Sequence, residues 1–498
     1  MDLSEGSKIT GRFNVSSEKT IDGELTFAGP KTSLYVHDKD TFELNRIANQ
    51  CIWGQLHDLT KVTLVEPITA PLPGYAQTLD ERYYFADIFP HYVVYGHQHL
   101  NPLESSISEI SFLIDDATTL FYDFDAFGFV IDARSLIDTV AHANRLSREV
   151  LTGQNPLIAY FTGKTEICAA DTVLGRVSAY HNLSYSLPSP AGVRIDNNIM
   201  VAIAFQEPVT FGRATLDALT IIRYLSILIG RPQNLLKVRV KADVDKQARG
   251  LDVYWCMPPM RDPSKEGSNP HPADVLVNGG MVPKDFSRIL IKWLERERDW
   301  GAARARFFNC FAEQVNYGID RLIAAANIFD ILPDSAVPDD IRVSDDLKNA
   351  ADTARDAFQS LSRSAERDSV LSALGRIGKP SLKRKVRHRA KRIVDVLGDR
   401  FPQLLMVIDE AINCRNYYVH GGEARFDYEA HVVFFTETLE FIFAISDLID
   451  AGWNMASWIA NPTSGSHPFG RFRLEYGMRL QELEKALNSA AAEKRSAP

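Results

Sequence analysis

Cysteine is scarce and scattered: Cys51, Cys168, Cys256, Cys310 and Cys414 are the whole set in 498 residues, with no C-x-x-C pair. That spacing excludes a disulfide framework and a zinc knuckle, and it points to a reducing, cytoplasmic setting. Long apolar runs are missing as well. Ile221–Ile229 and Phe441–Ile449 are interrupted by Arg223 and Asp447 and fall short of the ~20 residues a bilayer crossing needs, so no membrane span is expected. The opening Met-Asp-Leu-Ser-Glu-Gly has neither the basic nor the apolar region of a secretion leader. Positive charge is in deficit, with a net of −9. This excludes a uniformly basic nucleic-acid coat, so phosphate binding requires a local patch.

What is present is ordinary globular material: 45% hydrophobic, 10% aromatic and 24% charged residues, in a chain long enough for two large domains or about three. Up to about Trp255, short β-branched and aromatic runs alternate with Gly, Pro, Asn and Asp. Lys8–Val15, Glu24–Phe27, Ser33–Val36, Lys61–Val65, Tyr92–Tyr95, Phe127–Ile131, Asn198–Phe205 and Leu235–Val240 read as strands of a sandwich or barrel-like domain. One helix interrupts them, Ala214–Ile229, with Leu216, Leu219, Ile222, Leu225 and Ile229 at helical steps and Gly230 and Pro232 as stop signals. His97 and His99 share a face if Val93–Leu100 is a strand, but two ligands are short of a metal site, and no cofactor is expected.

Met257–Phe286 carries six prolines and three glycines, too many for a helix or strand interior. After it the pattern turns helical. Phe308, Phe311, Val315, Leu322, Ala326 and Phe329 form one stripe closed by Pro333, and Ser344 is an N-cap after an acidic loop. Further helices are expected at Ser344–Arg363, Ser381–Leu397, Phe401–His420 and Tyr428–Trp453. The last is apolar nearly all round, as in a bundle core or subunit interface. The fold class expected is therefore α+β and multidomain: a β-rich sandwich or barrel-like domain over 1–260, a linker over 261–285, an all-α bundle over 286–490, and a tail over 491–498, with fraying from about Glu484.

Three arginine–histidine pairs sit at neighbouring spacings: Arg176 with His181, Arg425 with His431, and Arg415 with His420. The first lies in the β half, where the two positions point to opposite faces of a strand. The second runs from the loop after Gly421-Gly422 into the last helix. Only Arg415–His420 lies within one continuous helical pattern. On a wheel of ~100° per residue, Leu404, Leu405, Ile408, Ala411, Ile412 and Val419 surround Arg415, which places it in the middle of the apolar face. Asp409, Asn413, Asn416 and His420 form a polar stripe along one edge. Gly421 and Gly422 end the helix, leaving His420 in its last turn, where the dipole favours an imidazolium. A guanidinium fork beside an imidazole suits phosphate chemistry without a metal. The alternative is structural, with Arg415 paired to a buried carboxylate and His420 only finishing a helix.

Arg415-Asn416-Tyr-Tyr-Val-His420-Gly421, ending a long helix and followed by a long apolar one, resembles the motif of the HEPN ribonucleases. The architecture resembles their ApeA-like subgroup of bacterial anti-phage defence proteins. The resemblance implies metal-independent RNA cleavage with cyclic phosphate products, His420 as general acid/base, Arg415 on the scissile phosphate and Asn416 as an orienting residue. It also implies a homodimer or higher oligomer that joins two motifs, and abortive infection as the biological role. A regulatory N-terminal domain sensing a phage-derived trigger would hold the toxic activity in check.

A second constellation stands apart from that resemblance. Ser381–Arg392 holds Lys383, Arg384, Lys385, Arg387, Arg389, Lys391 and Arg392 with no acidic residue. Removing seven positive charges from a net of −9 leaves the rest of the chain at −16. Val386, Ala390, Ile393 and Leu397 form a buried stripe, which leaves the basic residues on the outer faces to track an RNA backbone, tRNA included. Pairing with the chain's own acidic surface is the competing reading. The main functional alternative is a non-catalytic, dimerising RNA-binding scaffold with a ligand-binding β domain. A nucleotide-modifying enzyme using the same arginine is a third.

Overall fold

The computed structural model describes residues 5–15, 19–40, 51–69, 73–78, 81–144, 150–242, 250–265, 267–339 and 343–496. Residues 1–4, which open the stretch read for a leader, lie outside them. The chain divides into two compact units, Met1–Arg261 with Pro270–Ile291, and Asp262–Asn269 with Lys292–Pro498.

In the first unit the alternating runs become antiparallel strands: β1 (Lys8–Asn14), β2 (Thr20–Thr26), β3 (Ser33–Asp38), β4 (Cys51–Leu56), β5 (Lys61–Val65), β6 (Ile68–Thr69), β7 (Gly74–Gln77), β8 (Arg82–Phe89), β9 (Tyr92–Gly96), β10 (Ile107–Ile114), β11 (Phe127–Ile131), β12 (Leu157–Phe161), β13 (Glu166–Thr172), β14 (Gly175–Tyr185), β15 (Ile195–Val209), β16 (Leu235–Ala242) and β17 (Leu251–Trp255). The strand order is β13-β14-β15-β10-β16-β17-β9-β5-β4-β1-β2-β3-β8-β6, with β7 also on β8, while β11 and β12 pair with each other. Apart from that pair, the strands form one large antiparallel ladder, the β-rich N-terminal domain that was expected. Pairs such as β10–β16 join segments far apart in sequence, which local alternation does not encode.

Along β9-β5-β4-β1-β2-β3-β8 the inward residues, among them Phe13, Leu25, Leu34, Val36, Leu64 and Ile88, form one cluster at 0% exposure. Their cluster neighbours come almost entirely from those same strands, so this half of the sheet curls about its own core. Gly54 lies opposite Phe13, and a Cβ there would collide with the ring. In the other half, after the shorter α1 (Ala117–Leu120) and α2 (Arg134–Ala143), α3 (Phe211–Ile229) packs on β10 and β15. Thr210 Oγ1 caps it by accepting from Arg213 N–H, and Gly230 closes it at φ 94°. Ala214, Ala218, Ile221, Leu225 and Leu228 face the sheet, whereas Leu216, expected on that face, is 62% exposed. β9 ends at Gly96, so His97 and His99 lie past the strand.

The segment 261–285 is packed where a linker was expected. Val275, Leu276 and Val277 are buried, Leu276 N–H donates to Leu228 carbonyl across 2.9 Å, and α4 (Pro283–Glu295) begins inside it.

The second unit is helical: α5 (Glu297–Phe311), α6 (Ile319–Asn327), α7 (Asp345–Gln359), α8 (Ala365–Gly375), α9 (Leu382–Leu397), α10 (Leu404–His420), α11 (Val432–Asp450), α12 (Met455–Ala460) and α13 (Pro468–Ser496). Ser344 caps α7 as expected, its Oγ accepting from Leu347 N–H. The stripe expected to run unbroken from Phe308 to Phe329 is split between α5 and α6. Arg321 Nη1 donates to the carbonyls of Gln314 (2.7 Å) and Asn316 (3.0 Å), stabilising the break. The C-terminal segment expected to fray from Glu484 continues as helix to Ser496. Central α11 packs against α5, α6, α9, α10 and α13. Among the described residues no helix is long and apolar enough to cross a membrane.

Candidate active site

Helix α10 buries Leu404, Val407, Ile408, Ala411, Ile412 and Cys414, and burial pushes the Cys414 thiol up to about 12, leaving it without thiolate character. The helix stops at Gly421, φ 76°, whose N–H bonds Tyr417 carbonyl, a left-handed position that suits glycine. Leu405 and Val419, expected to surround Arg415 in the core, are 43% and 40% exposed. Arg415 therefore lies half-buried at the solvent end of the apolar face, because the last turn of α10 emerges from the bundle.

Among the described residues the side chains that meet Arg415 are Asn416, His420 and Asn327. Nη1 donates to Asn416 Oδ1 at 3.1 Å and lies 3.4 Å from His420 Nε2. Nη2 donates to Asn327 Oδ1 at 2.8 Å. Its Nε is buried without a hydrogen-bond partner. Among the described residues no carboxylate pairs with Arg415. Asn416 and His420 are exposed. The rest of the expected stripe is engaged elsewhere: Asp409 holds Arg387, and Asn413 donates to Glu410.

Asn327, at the C-terminus of α6, was not anticipated. Nothing in its sequence surroundings marks it, since its contact is made in the tertiary fold. The other two arginine–histidine pairs are structural. Arg176 is exposed and pairs with Glu166 at 3.0 Å, whereas His181 is buried against Asp123 at 3.4 Å. Arg425 pairs with Glu410 at 2.5 Å, and His431 is buried in a separate turn.

The basic helix departs from expectation. Val386, Ala390 and Ile393 are buried as foreseen, but Arg389 is buried with them at 2% exposure. It pairs with Asp450 at 2.7 Å and donates to Ser446 Oγ at 3.0 Å, with its guanidinium over the Trp300 ring. Most of the outward cations are also engaged. Lys385 meets Asp330 at 3.3 Å, Lys383 meets Asp409 at 3.7 Å, Arg387 pairs with Asp409, and Arg392 meets Asp450 at 2.8 Å. Among the described residues, Arg384 and Lys391 have exposed side chains with no acidic partner.

The chemical capacity of the site is that of an uncompensated guanidinium beside an imidazole: it can hold phosphoryl oxygens while a proton moves at the neighbouring ring. The Arg415 site, Asn327 and the basic helix all fall within residues 323–457, which match the Apea-like HEPN family. Residues 8–293 match ApeA N-terminal domain 1. No curated protein matches the chain, and no solved structure does. With more than half its length in the one match and its helical site in the other, the chain belongs to the ApeA-like HEPN family.

Proposed function

We propose that the protein is a metal-independent endoribonuclease of anti-phage defence, with the site formed by Arg415, His420 and Asn416. The observation that supports this reading is the half-buried Arg415, held by Asn416 and Asn327 beside His420 with no carboxylate partner among the described residues. Such a cation has electrostatic energy to offer an incoming phosphate. Its forked donors bind the non-bridging oxygens and stabilise the charge that grows as the 2′-hydroxyl attacks the adjacent phosphorus. In the unbound site Nη1 lies against His420 Nε2. A phosphate drawing that N–H away frees the ring nitrogen to take the 2′-hydroxyl proton. The O2′–P bond forms, the P–O5′ bond breaks, and O5′ leaves with a proton from a general acid.

One imidazole cannot be base and acid in the same step, so a second copy of the motif across a homodimer supplies the other role. Asn416, tied to Arg415 Nη1, orients the guanidinium. On α9, Arg384 and Lys391, exposed and without an acidic partner among the described residues, contact the RNA backbone, and the buried Arg389 has no such role. The N-terminal unit is the regulatory element, sensing a trigger and restraining a toxic activity in the cytoplasm.

Incubating purified protein with total RNA tests the reading. The expected products carry 2′,3′-cyclic phosphate and 5′-hydroxyl ends, persist in excess chelator and disappear with His420→Ala. Cleavage that survives His420→Ala, or is abolished by chelator, would reject it.

A further inference from the structure

Away from the Arg415 site, α5 and α6 diverge around the turn at 312–318 and leave a cleft of about 470 Å³. Gln314 makes the turn at φ 47°, and at Gly318 there is open space where a side chain would project. One side of the cleft is fixed. Arg321 is spent on Glu440, through Nε at 2.8 Å and Nη2 at 2.9 Å, and on the two turn carbonyls. Glu313 is likewise taken, by Lys265 at 2.8 Å and by Asn316 at 3.2 Å.

Three lining side chains have no such work. Arg306 and Asn309, one turn apart on α5, and Asp320 on α6 are exposed to the cleft, and none makes a side-chain hydrogen bond or ion pair among the described residues. A cation and an amide on α5 and a carboxylate on α6 thus line one cleft, whose volume lies within the ~300–1,000 Å³ range of small-molecule sites.

The ligand class follows from the two walls. Arg306 calls for an anion, and a phosphate takes its forked donors best. Asp320 accepts only, and two adjacent N–H donors satisfy both of its oxygens. Among the nucleobases, guanine presents adjacent donors, N1–H and the N2 amino group, whereas adenine, cytosine and uracil interleave donors with acceptors along the same edge. Asn309, both donor and acceptor, suits a sugar hydroxyl. We propose that the α5–α6 cleft binds a guanine nucleoside monophosphate, with the phosphate on Arg306 and the base edge on Asp320.

This site is separate from the proposed ribonuclease centre. Asn327 is at the opposite end of α6, roughly 12 Å along the axis at ~1.5 Å per residue, and most of the cleft precedes the residues that match the HEPN family. Calorimetry on the full chain with GMP as the probe, alongside AMP, guanosine and inorganic phosphate, tests the assignment. GMP is expected to bind at one site per chain, with AMP, guanosine and phosphate each at least tenfold weaker. Arg306→Ala and Asp320→Asn should each weaken GMP at least tenfold with unchanged Tm, while His420→Ala leaves it untouched. Absence of GMP binding overturns the proposal, as does equal affinity for AMP or for phosphate alone. Binding lost in His420→Ala but retained in Arg306→Ala and Asp320→Asn also overturns it, because the nucleotide would then occupy the RNA site. The proposed cleavage reaction can fail its own test without altering any of these readouts.

Discussion

The Arg415 guanidinium reaches across 88 positions of sequence to Asn327, donating Nη2–H to its side-chain oxygen at 2.8 Å. A bond from a neutral acceptor positions the cation without neutralising it, which an aspartate in the same place would do. Asn327→Ala is expected to lower RNA cleavage about tenfold, the equivalent of ~1.4 kcal/mol in the barrier. Asn327→Asp should lower it further and raise KM, since its carboxylate competes with the phosphate. Steady-state kinetics of the two variants distinguish these effects, and an equal response in both would remove Asn327 from a positioning role.

Arg415→Ala and His420→Ala should each abolish cleavage while changing unfolding free energy by no more than about 1–2 kcal/mol, because both side chains emerge at the solvent end of α10. Arg415→Lys should recover little, since an ammonium lacks the planar fork that spans two phosphoryl oxygens. Denaturant titration beside the cleavage assay checks both halves of the expectation.

The seven basic residues of α9 divide by burial. Arg389→Ala removes a buried guanidinium while Asp450 keeps Arg392 at 2.8 Å and Arg296 at 3.6 Å, and should destabilise the fold by about 1–3 kcal/mol. The double variant Arg384→Ala/Lys391→Ala should leave Tm unchanged, weaken RNA binding and flatten its dependence on salt. If the double variant binds RNA as well as the parent at every salt concentration, α9 is a structural helix only.

Acidification should destabilise the helical unit through two histidines. Burial depresses His431 below its ordinary 6.5, opposed by Glu482 and Asp427, and burial followed by Arg389 and Arg392 depresses His388. Between the lowered folded value and 6.5 the unfolded chain binds the proton more readily. Their contribution is thus fully present above about pH 6.5 and lost as pH falls through the folded values. The urea midpoint should fall between about pH 7.5 and 5.5, and His431→Phe should reduce that fall; an unchanged pH dependence in the variant would contradict the assignment.

Much of this molecule is legible in the chain. Alternation marks strands such as Lys8–Asn14 because one face is buried, and Gly421 and Gly422 end α10 for the conformational reason glycine allows. Asn327 was hidden because its partner is distant in sequence and its local setting, Ala-Ala-Ala-Asn, carries no signal. Arg389 is legible in the chain: it is three residues after Val386 and four before Ile393, on the buried stripe of α9. The order of strands in the large sheet was beyond reach, since alternation reports which residues face inward and says nothing about which strand lies alongside.

Helix α11 carries three buried acids, and each is claimed by an arginine from elsewhere: Glu437 by Arg479 of α13 at 2.7 Å, Glu440 by Arg321 of α6 at 2.8 Å, and Asp447 by Arg304 of α5 at 2.9 Å. A helix this apolar could slide or rotate among several comfortable packings if its surface were hydrocarbon alone. The acids make it a key with three teeth, for which one setting satisfies every partner and a one-turn slip strands a charge in the core. The consequence is hereditary as much as mechanical. Exchanging any one of these acids leaves its arginine without that partner, so the effects of substitutions in α11 are coupled to those in α5, α6 and α13.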